Sequence, residues 1–397
     1  MRNVHRVREV ARDTAVHRPG AGTQDGPGER VSPVPPASRP YRTAIIGAGS
    51  IAGDAHVPAI RALESAGHLD LVAVADADAR RAERFAATHA IPRGYRDPRE
   101  LLATERPDLV VVCTPSFTHA DLTVAALEAG AWVFCEKPLC GSLADHDRIL
   151  AAERATGRYC APVFQWRAGS GAAHVRDLLH GGAAGPPLLA LCQTTWYRGA
   201  DYYAAPWRGR RATELGGATV TQGIHAMDLL LWLMPDWTEV SARVATVDRD
   251  IETEDVSLAH VAFSGGALAS IVNSVVSSHQ ESYLRLDCAR ASVELRHLYA
   301  YRNEHWTFTP APDHPPTAPD WDTIGPDVPA HQAPQLADLV ARMRRGEPPE
   351  HTTADARRTT EFVTALYKSA RTGQPVPRGS ITPDDPFHHS WSPAATR

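Results

Sequence analysis

Short apolar segments alternate with helical segments from Tyr41 to about residue 164, and this alternation limits the fold more than any other feature of the chain. The predicted strands are 43–47, 69–76, 108–114, 131–136 and 158–164. Helical stretches separate them, and the one at 120–130 ends in a glycine, as helices often do. Strands that alternate with helices pair into a parallel sheet. The pattern predicts one doubly wound α/β domain over residues 41–164.

The second half of the chain has a different pattern. Strand-like runs follow one another without regular helices between them, at 188–196, 256–263 and 267–276. Helices are predicted at about 217–234, where Pro235 ends the segment, and at 335–346 and 354–373. The Pro- and Asp-rich segment 310–330 is predicted to be a surface loop. We therefore expect an α+β domain with a large, mostly antiparallel open sheet over residues 165–397.

Composition excludes several classes of function. No run of about 18 apolar residues occurs, so no membrane span is expected. A net charge of -5 gives no basic field that would hold nucleic acid. The 6 cysteines form no Cys-x-x-Cys pair, so no metal site is predicted. They are interpreted as small, buried apolar side chains, which fits a reducing, cytoplasmic compartment. Residues 1–40 lack an apolar core segment and are predicted to be a disordered tail without a signal peptide.

A glycine-rich turn follows the first strand. Gly47, Gly49 and Ala52 form a G-x-G-x-x-A pattern, with Ser50 and Ile51 inside it. The first glycine allows a tight turn, the second lets the backbone approach a pyrophosphate, and the small third residue lets helix and strand pack closely. A glycine turn in an ordinary strand–helix unit is the alternative interpretation.

An acidic residue ends the second predicted strand. Asp76 has the position at which a carboxylate binds both ribose hydroxyls of a dinucleotide, and it would repel a 2′-phosphate. NAD is therefore favoured, although Arg80 and Arg81 leave NADP open. The alternative is that Asp76 caps the helix beginning near Ala79.

Lys137 is one of only two lysines, although Lys and Arg together number 41. It follows the fourth predicted strand, next to Glu136, at the edge of the sheet where ligands bind in open α/β folds. A surface ion pair would accept arginine equally well, whereas only lysine can exchange a proton near neutral pH. The sequence therefore predicts that Lys137 is a catalytic acid or base.

The predicted helix at 217–234 contributes a second candidate. Thr221, His225 and Asp228 occur at i, i+4 and i+7 and so lie on one face. A single helix histidine is more often structural than catalytic. Gly216 and Gly217 precede it and are expected to allow close approach of the backbone to a ligand.

Residues 194–211 are dense in aromatic side chains and arginine. Aromatic faces bind the C–H edges of sugars, and arginines bind hydroxyls, carboxylates or phosphates. The alternative is an aromatic cluster on an edge strand at an oligomer interface.

Taken together, these residues resemble the Gfo/Idh/MocA oxidoreductase family, the relatives of glucose-fructose oxidoreductase and inositol 2-dehydrogenase. The resemblance extends from about Tyr41 to Phe387. It rests on the order of the motifs, which are the glycine turn, CTPSFTH at 113–119, EKP at 136–138, WRG at 207–209, GIHAMD at 223–228, TEDVS at 253–257 and ALYKSARTG at 365–373.

The resemblance implies a Rossmann domain, a second domain whose open sheet often forms an oligomer interface, and a substrate pocket between the two. It implies that Lys137 and His225 contact the reacting hydroxyl and handle its proton. The predicted cofactor contacts are Gly47, Gly49, Ser50, Ile51, Ala52, Asp76, Thr114, Pro115, His119 and Glu136. The predicted substrate contacts are Arg167, Trp207, Arg208, Thr221 and Asp228. A homodimer or homotetramer is expected.

One residue departs from the family pattern. Members commonly have Asp or Asn four residues before the histidine, and this chain has Thr221. A threonine hydroxyl can hydrogen-bond the substrate or the imidazole, but it carries no charge that raises the basicity of the histidine. Lys137 is therefore the stronger candidate for the general base.

Three functions remain at this point. The first is the NAD(P)-dependent oxidation of a secondary alcohol on a sugar, a sugar derivative or a cyclitol. The second is a glycosidase or eliminase that oxidises its substrate transiently with bound NAD. The third is a sensor that binds the cofactor without catalysis, which Thr221 makes conceivable.

Overall fold

A computed structural model describes residues 39–393 of the chain. The predicted tail, residues 1–40, lies outside the described residues except for its last two. All six cysteines are free and buried, as predicted. In the described part of the chain, no helix is long and apolar enough to cross a membrane.

The first half forms a parallel sheet. Its strands are β1 (Tyr41–Ile46), β2 (Leu69–Ala75), β3 (Arg93–Tyr95), β4 (Leu109–Val112), β5 (Trp132–Cys135) and β6 (Cys160–Pro162). Their spatial order is β3-β2-β1-β4-β5-β6. All five predicted strands are confirmed, whereas β3 escaped prediction because its three residues contain no apolar run.

The direction of strand succession reverses beside β1, which pairs with both β2 and β4. The loops that follow two such strands leave in opposite directions and open a crevice at the carboxyl edge of the sheet. The helices of this half are α1 (Val57–Ser65), α2 (Ala79–Thr88), α3 (Pro98–Glu105), α4 (His119–Glu128) and α5 (Leu143–Thr156).

The second half forms an eight-stranded sheet. Its strands are β7 (Pro187–Tyr197), β8 (Trp237–Ala245), β9 (Val256–Phe263), β10 (Leu268–Ser274), β11 (Val276–Cys288), β12 (Ala291–His297), β13 (Trp306–Pro310) and β14 (Val376–Pro377). The order is β13-β12-β11-β7-β10-β9-β8-β14, and all pairs are antiparallel except β7 with β10. The three predicted strands are confirmed. β8, β11, β12 and β13 escaped prediction because polar residues alternate with apolar ones where one face of the sheet is open, and β14 because it has only two residues.

The helices of the second half are α6 (Ser170–His180), α7 (Ala200–Tyr203), α8 (Arg211–Glu214), α9 (Ile224–Leu233), α10 (Gln332–Arg345), α11 (Thr353–Thr372) and α12 (Pro386–His389). The helix predicted at 217–234 consists of a π-helical turn, Thr219–Gly223, followed by α9. α9 packs against β7, and α11 packs against β8, so both cover the same sheet.

α10 completes the core of the first half. Its Leu336, Leu339 and Val340 are buried in the apolar cluster that contains Ile45 and Ile60. The chain therefore returns to the parallel sheet after building the second sheet. The amphipathic pattern of α10 predicts a buried face, but it does not specify which surface that face contacts.

Candidate active site

A cavity of about 800 Å³ opens at the carboxyl edge of the parallel sheet. The first half lines it with residues that follow β1, β2, β4 and β5, namely Gly47, Gly49, Ser50, Ile51, Asp76, Thr114, Pro115, His119, Glu136 and Lys137. The second half lines it with Trp196, Arg198, Tyr202, Trp207, Arg208, Glu214, Thr221, Gln222, His225 and Tyr299. Most of the predicted site residues therefore meet in one cavity.

The glycine turn fits a dinucleotide. Gly47 has φ +105°, and a Cβ atom there would lie 2.6 Å from the backbone carbon of Cys113. A Cβ atom on Gly49 would have no neighbour within 4 Å, so the backbone is open where a pyrophosphate would approach. Ala52 is fully buried and outside the lining, consistent with a packing role beneath the turn.

Asp76 is held beside this turn. Its Oδ2 accepts a hydrogen bond from the Ala48 backbone N–H at 3.0 Å, and its Oδ1 lies 3.6 Å from the Arg81 guanidinium. The residue that caps α2 is Asp78, which accepts from the Arg81 backbone N–H. Asp76 is therefore not the helix cap of the alternative interpretation, and its carboxylate faces the cavity where a ribose would bind.

His119 joins two loops of the cavity wall. Its Nε2 lies 2.8 Å from the Thr114 carbonyl oxygen, and its Nδ1 lies 2.7 Å from that of Pro138. Burial lowers the pKa of His119, although these carbonyls oppose the shift. The ring thus fixes the loop after β4 against the loop that carries Lys137.

Lys137 makes no ion pair with Glu136. Its Nζ donates a 2.7 Å hydrogen bond to the backbone carbonyl of Thr221. The Glu136 carboxylate instead lies 2.9 Å from His56 Nε2 and accepts from the Lys137 backbone N–H at 3.2 Å. The alternative of a surface ion pair is therefore wrong for this lysine.

Burial lowers the pKa of Lys137 to about 8. The carboxylate of Glu136 opposes this shift, and the positive charge of Arg208 adds to it. Burial would raise the pKa of Glu136, but the hydrogen bond from His56 holds it below its ordinary value. Near neutral pH the cavity thus contains an amine that can both release and accept a proton.

His225 presents a neutral imidazole to the cavity. It is 3% exposed and stacks on Trp166, with ring centroids 5.3 Å apart. Burial lowers its pKa well below the ordinary value, and the charges of Lys137 and His297 act in the same direction. Among the described residues, its buried Nδ1 has no hydrogen-bond partner.

Thr221 uses its hydroxyl inside its own helix. Oγ1 donates to the Gly217 carbonyl at 2.8 Å and also contacts the side chain of Gln222. Its backbone carbonyl, rather than its side chain, contacts Lys137. The departure from the family pattern therefore leaves the lysine with a neutral partner.

Gly216 and Gly217 approach protein rather than ligand. A Cβ atom on Gly217 would lie 1.8 Å from the Glu254 carbonyl oxygen, and one on Gly216 would lie 2.1 Å from the Tyr367 hydroxyl. Glu254 also accepts from the backbone N–H groups of Gly217 and Thr219. The expectation of close approach to a ligand is wrong, because Tyr367 and the TEDVS segment occupy that space. Glu254 of that segment caps the start of the helix that carries His225.

The structure does not bring Arg167 and Asp228 to the cavity lining. Arg167 Nε donates to Asp228 Oδ2 at 2.6 Å, and the Thr359 hydroxyl donates to Asp228 Oδ1 at 2.7 Å. Both charged residues are at most 5% exposed. This buried pair ties α9 to α11 and to the turn before α6, because a desolvated guanidinium and carboxylate satisfy each other best.

Several lining residues had no individual prediction. Trp196, Arg198 and Tyr202 belong to the aromatic and arginine-rich segment at 194–211, which gave a signal without specifying members. Gln222 adjoins Thr221, and its Nε2 donates to the Tyr202 hydroxyl at 3.0 Å. Tyr299 follows β12 and had no local signal. In the described range 39–393, no group of three or more His, Cys, Asp or Glu residues could hold a metal ion.

Comparison with known proteins identifies the family. Residues 41–164 match the profile described as "Oxidoreductase family, NAD-binding Rossmann fold", and residues 172–294 match the "GFO/IDH/MocA C-terminal domain". D-Apiose dehydrogenase from Paraburkholderia graminis is 28% identical over 374 residues, which are 90% of this chain and 95% of that protein. Inositol 2-dehydrogenase 4 from Saccharopolyspora erythraea is 38% identical over 157 residues, covering 39% of this chain and 46% of that protein.

A solved structure has the same fold. The WlbA dehydrogenase from Bordetella pertussis, in complex with NADH and UDP-GlcNAcA, superimposes with a TM-score of 0.77 and 26% identity. The match covers 85% of this chain and 99% of that one. The profiles, the two sheets and the cavity at the glycine turn together establish that this chain belongs to the Gfo/Idh/MocA family of NAD-binding oxidoreductases.

Proposed function

We propose that this protein oxidises a secondary alcohol of a sugar, a sugar derivative or a cyclitol, with NAD as the cofactor. The observation that carries the proposal is the partly buried amine of Lys137, which has a pKa of about 8 and lines the same cavity as the glycine turn and Asp76. The names of the relatives, among them D-apiose dehydrogenase and inositol 2-dehydrogenase, support this substrate class.

Bound NAD supplies the hydride acceptor, so a CH–OH group and NAD⁺ yield a ketone, NADH and one proton. The chain's task is to take that proton and to fix the alcohol in place. Lys137 in its neutral form accepts the hydroxyl proton, and the Thr221 carbonyl orients its Nζ. His225 is held neutral by burial and orients the hydroxyl or relays its proton. Positioning supplies most of the acceleration, and acid–base help contributes about 10²- to 10⁴-fold.

The first half holds the cofactor in this proposal. The backbone from Gly47 to Ile51 receives the pyrophosphate, and Asp76 binds the ribose hydroxyls. Thr114, Pro115, His119 and Glu136 line the nicotinamide end. Trp207 and Arg208 contact the substrate, together with Tyr202 and Gln222.

The rate of oxidation should rise with pH through about 8. Lys137 acts as a base only when it is neutral, and burial lowers its pKa to about 8. Below that pH, kcat/KM should increase about tenfold per unit, and above it the value should level off. The reverse reduction needs protonated Lys137 and should show the opposite slope. Initial rates between about pH 6 and 10 measure this profile. A profile without an inflection in this range would instead assign the base to His225, because burial lowers the pKa of that imidazole well below its ordinary value.

A screen with NAD and NADP in parallel tests the proposed function. Sugars, sugar phosphates, nucleotide sugars and inositols serve as substrates, and NADH absorbance at 340 nm is the readout. Steady accumulation of NADH supports a dehydrogenase and rules out a hydrolase or eliminase that retains its reduced cofactor. Any measurable turnover also dismisses a purely sensory role. If neither NADH nor any product forms with a substrate that binds, the proposed function is wrong.

The open face of the eight-stranded sheet supports self-association. Leu189, Leu258 and Leu268 are 38–57% exposed, and Leu189 pairs directly with Leu268 across β7 and β10. Such exposed apolar patches commonly mark interfaces. We expect a homodimer or homotetramer through this face.

Leu258→Glu should weaken that association at least about 100-fold, because it places a charge in a dry interface. Light scattering coupled to size-exclusion chromatography measures the mass of each variant. Val247→Glu is the control, since Val247 is 63% exposed beyond the end of β8. A wild-type protein that stays monomeric at micromolar concentration would refute the expected oligomer.

A further inference from the structure

Two arginines lie together in the part of the cavity formed by the second half. The guanidinium carbon of Arg208 lies 3.8 Å from the Tyr202 ring centroid, and that of Arg198 lies 5.3 Å from the same centroid. Both side chains line the cavity. The ring of Tyr202 thus contacts both guanidinium groups, and all three side chains line the cavity.

Arg208 is held rigidly. Its guanidinium is also 4.2 Å from the Trp207 ring centroid, and Nη1 donates to Glu214 Oε1 at 2.9 Å. Glu214 is 2% exposed and accepts a second hydrogen bond from the Gly209 backbone N–H. Within residues 39–393, Nε and Nη2 of Arg208 make no hydrogen bond. The Arg208 guanidinium therefore keeps its Nε and Nη2 donors free and in a fixed orientation.

Arg198 lacks a carboxylate partner altogether in the described part of the chain. Its Nη1 donates to the Tyr197 carbonyl at 3.1 Å, and its Nε has no hydrogen-bond partner. Its guanidinium lies 4.8 Å from the Trp196 ring centroid. A partly buried guanidinium without a counterion is costly unless a ligand supplies the negative charge.

No carboxylate of the cavity lining forms an ion pair with Arg198. Glu214 is the one acidic residue that the second half contributes to the lining, and it is paired with Arg208. The others come from the first half, namely Asp54, Asp76, Asp121 and Glu136. Asp76 is bound at the glycine turn, Glu136 by His56 and Asp121 by Arg148, and none of the four lies within ion-pair distance of Arg198.

We propose that the substrate carries an anionic oxygen group, a carboxylate or a phosphate, which Arg198 and the free donors of Arg208 bind. This inference rests on the proposed function and narrows its substrate from sugars in general to sugar acids or sugar phosphates. Tyr202 supports the site, because its hydroxyl oxygen accepts from Arg208 and from Gln222 and keeps its own hydrogen to donate. Arginine forks recognise carboxylates and phosphates by paired, charge-assisted hydrogen bonds.

Matched substrates test the inference. D-Glucose and D-galactose are compared with their uronates and their 6-phosphates, and kcat/KM is measured for each with NAD. The anionic member of a pair should be preferred roughly 10- to 150-fold, as expected for hydrogen bonds to a charged group. The uronate and phosphate arms distinguish the two sources of negative charge.

Arg198→Gln should reduce the ratio of anionic to neutral kcat/KM by at least about tenfold. Arg210→Gln is the matched control, since Arg210 is exposed, belongs to the same segment and lies outside the cavity lining. Far-ultraviolet circular dichroism and the melting temperature establish that both variants fold. A ratio that is near one in the wild type, or that Arg198→Gln leaves unchanged, overturns the inference while the dehydrogenase function stands.

Calorimetric titration separates the two proposals when turnover is absent. Each uronate and phosphate is titrated into the NADH-loaded protein. Saturable binding that Arg198→Gln weakens at least tenfold supports the anion site even if no hydride is transferred, which then counts against the proposed function alone. Absence of both binding and turnover with every anion refutes the inference.

Discussion

Lys137→Met should reduce kcat for alcohol oxidation at least about 1,000-fold while NADH affinity stays within about threefold of the wild-type value. Methionine fills a similar volume but has no group that accepts a proton, and the 2.7 Å hydrogen bond to the Thr221 carbonyl is lost as well. Steady-state rates measure the loss of turnover, and the fluorescence of bound NADH measures retention of the cofactor. Raising the pH should not restore activity, because the group that titrates is gone.

Two further variants define the role of the amine. Lys137→Arg keeps the positive charge but stays protonated at every accessible pH, so it should be nearly as inactive as Lys137→Met. Lys368→Met is the matched control, since Lys368 is the second lysine of the chain and pairs with Asp385 instead of lining the cavity. It should retain the wild-type kcat. Normal turnover by Lys137→Met would remove the amine from the mechanism.

Gly47→Ala and Gly49→Ala should separate folding from cofactor binding. Gly47 has φ +105°, and a new Cβ would lie 2.6 Å from the Cys113 backbone, so Gly47→Ala should lower the free energy of unfolding by about 3 kcal/mol or more. A Cβ on Gly49 meets no protein atom within 4 Å, so Gly49→Ala should leave stability within about 1 kcal/mol. It should nevertheless raise the Kd for NADH at least about tenfold, because the methyl group occupies the approach of the pyrophosphate.

Urea unfolding and NADH titration of both variants measure these effects. Gly67→Ala is a control for the cost of positive φ alone, since Gly67 has φ +75° and open space around its Cβ position. This variant should lower the free energy of unfolding by about 1–2 kcal/mol and leave NADH affinity unchanged. Unaltered NADH affinity in Gly49→Ala would contradict the placement of the pyrophosphate at this turn.

Local patterns were sufficient for five of the six strands of the parallel sheet and for most of the cofactor end. Each buried parallel strand is a continuous apolar run, and the glycine turn and Asp76 follow such runs directly, so neighbours in sequence are also neighbours in space. The second sheet was harder to predict. Strands with an open face, such as β11, mix polar with apolar residues and give a weak signal.

Side chains of one type behave differently according to their partners, which the sequence does not reveal. Arg167 and Asp228 had the spacing and the family position of substrate contacts, yet they are buried against each other. Arg198 was one arginine among several in its segment, yet it lacks a carboxylate partner in the described part of the chain. The difference depends on which carboxylates the fold brings within reach.

The sequence by itself determined the alternating architecture of the first half, the turn that receives a dinucleotide, and the selection of a lysine where arginine is otherwise used. These features depend on backbone geometry and side-chain chemistry within a few residues. Only the tertiary structure decided that the Lys137 amine meets the Thr221 carbonyl, 84 residues away, and that α10 completes the core of the first half. Such contacts arise when segments far apart in the chain pack together, and the free energy of that packing is distributed over residues that no local pattern connects.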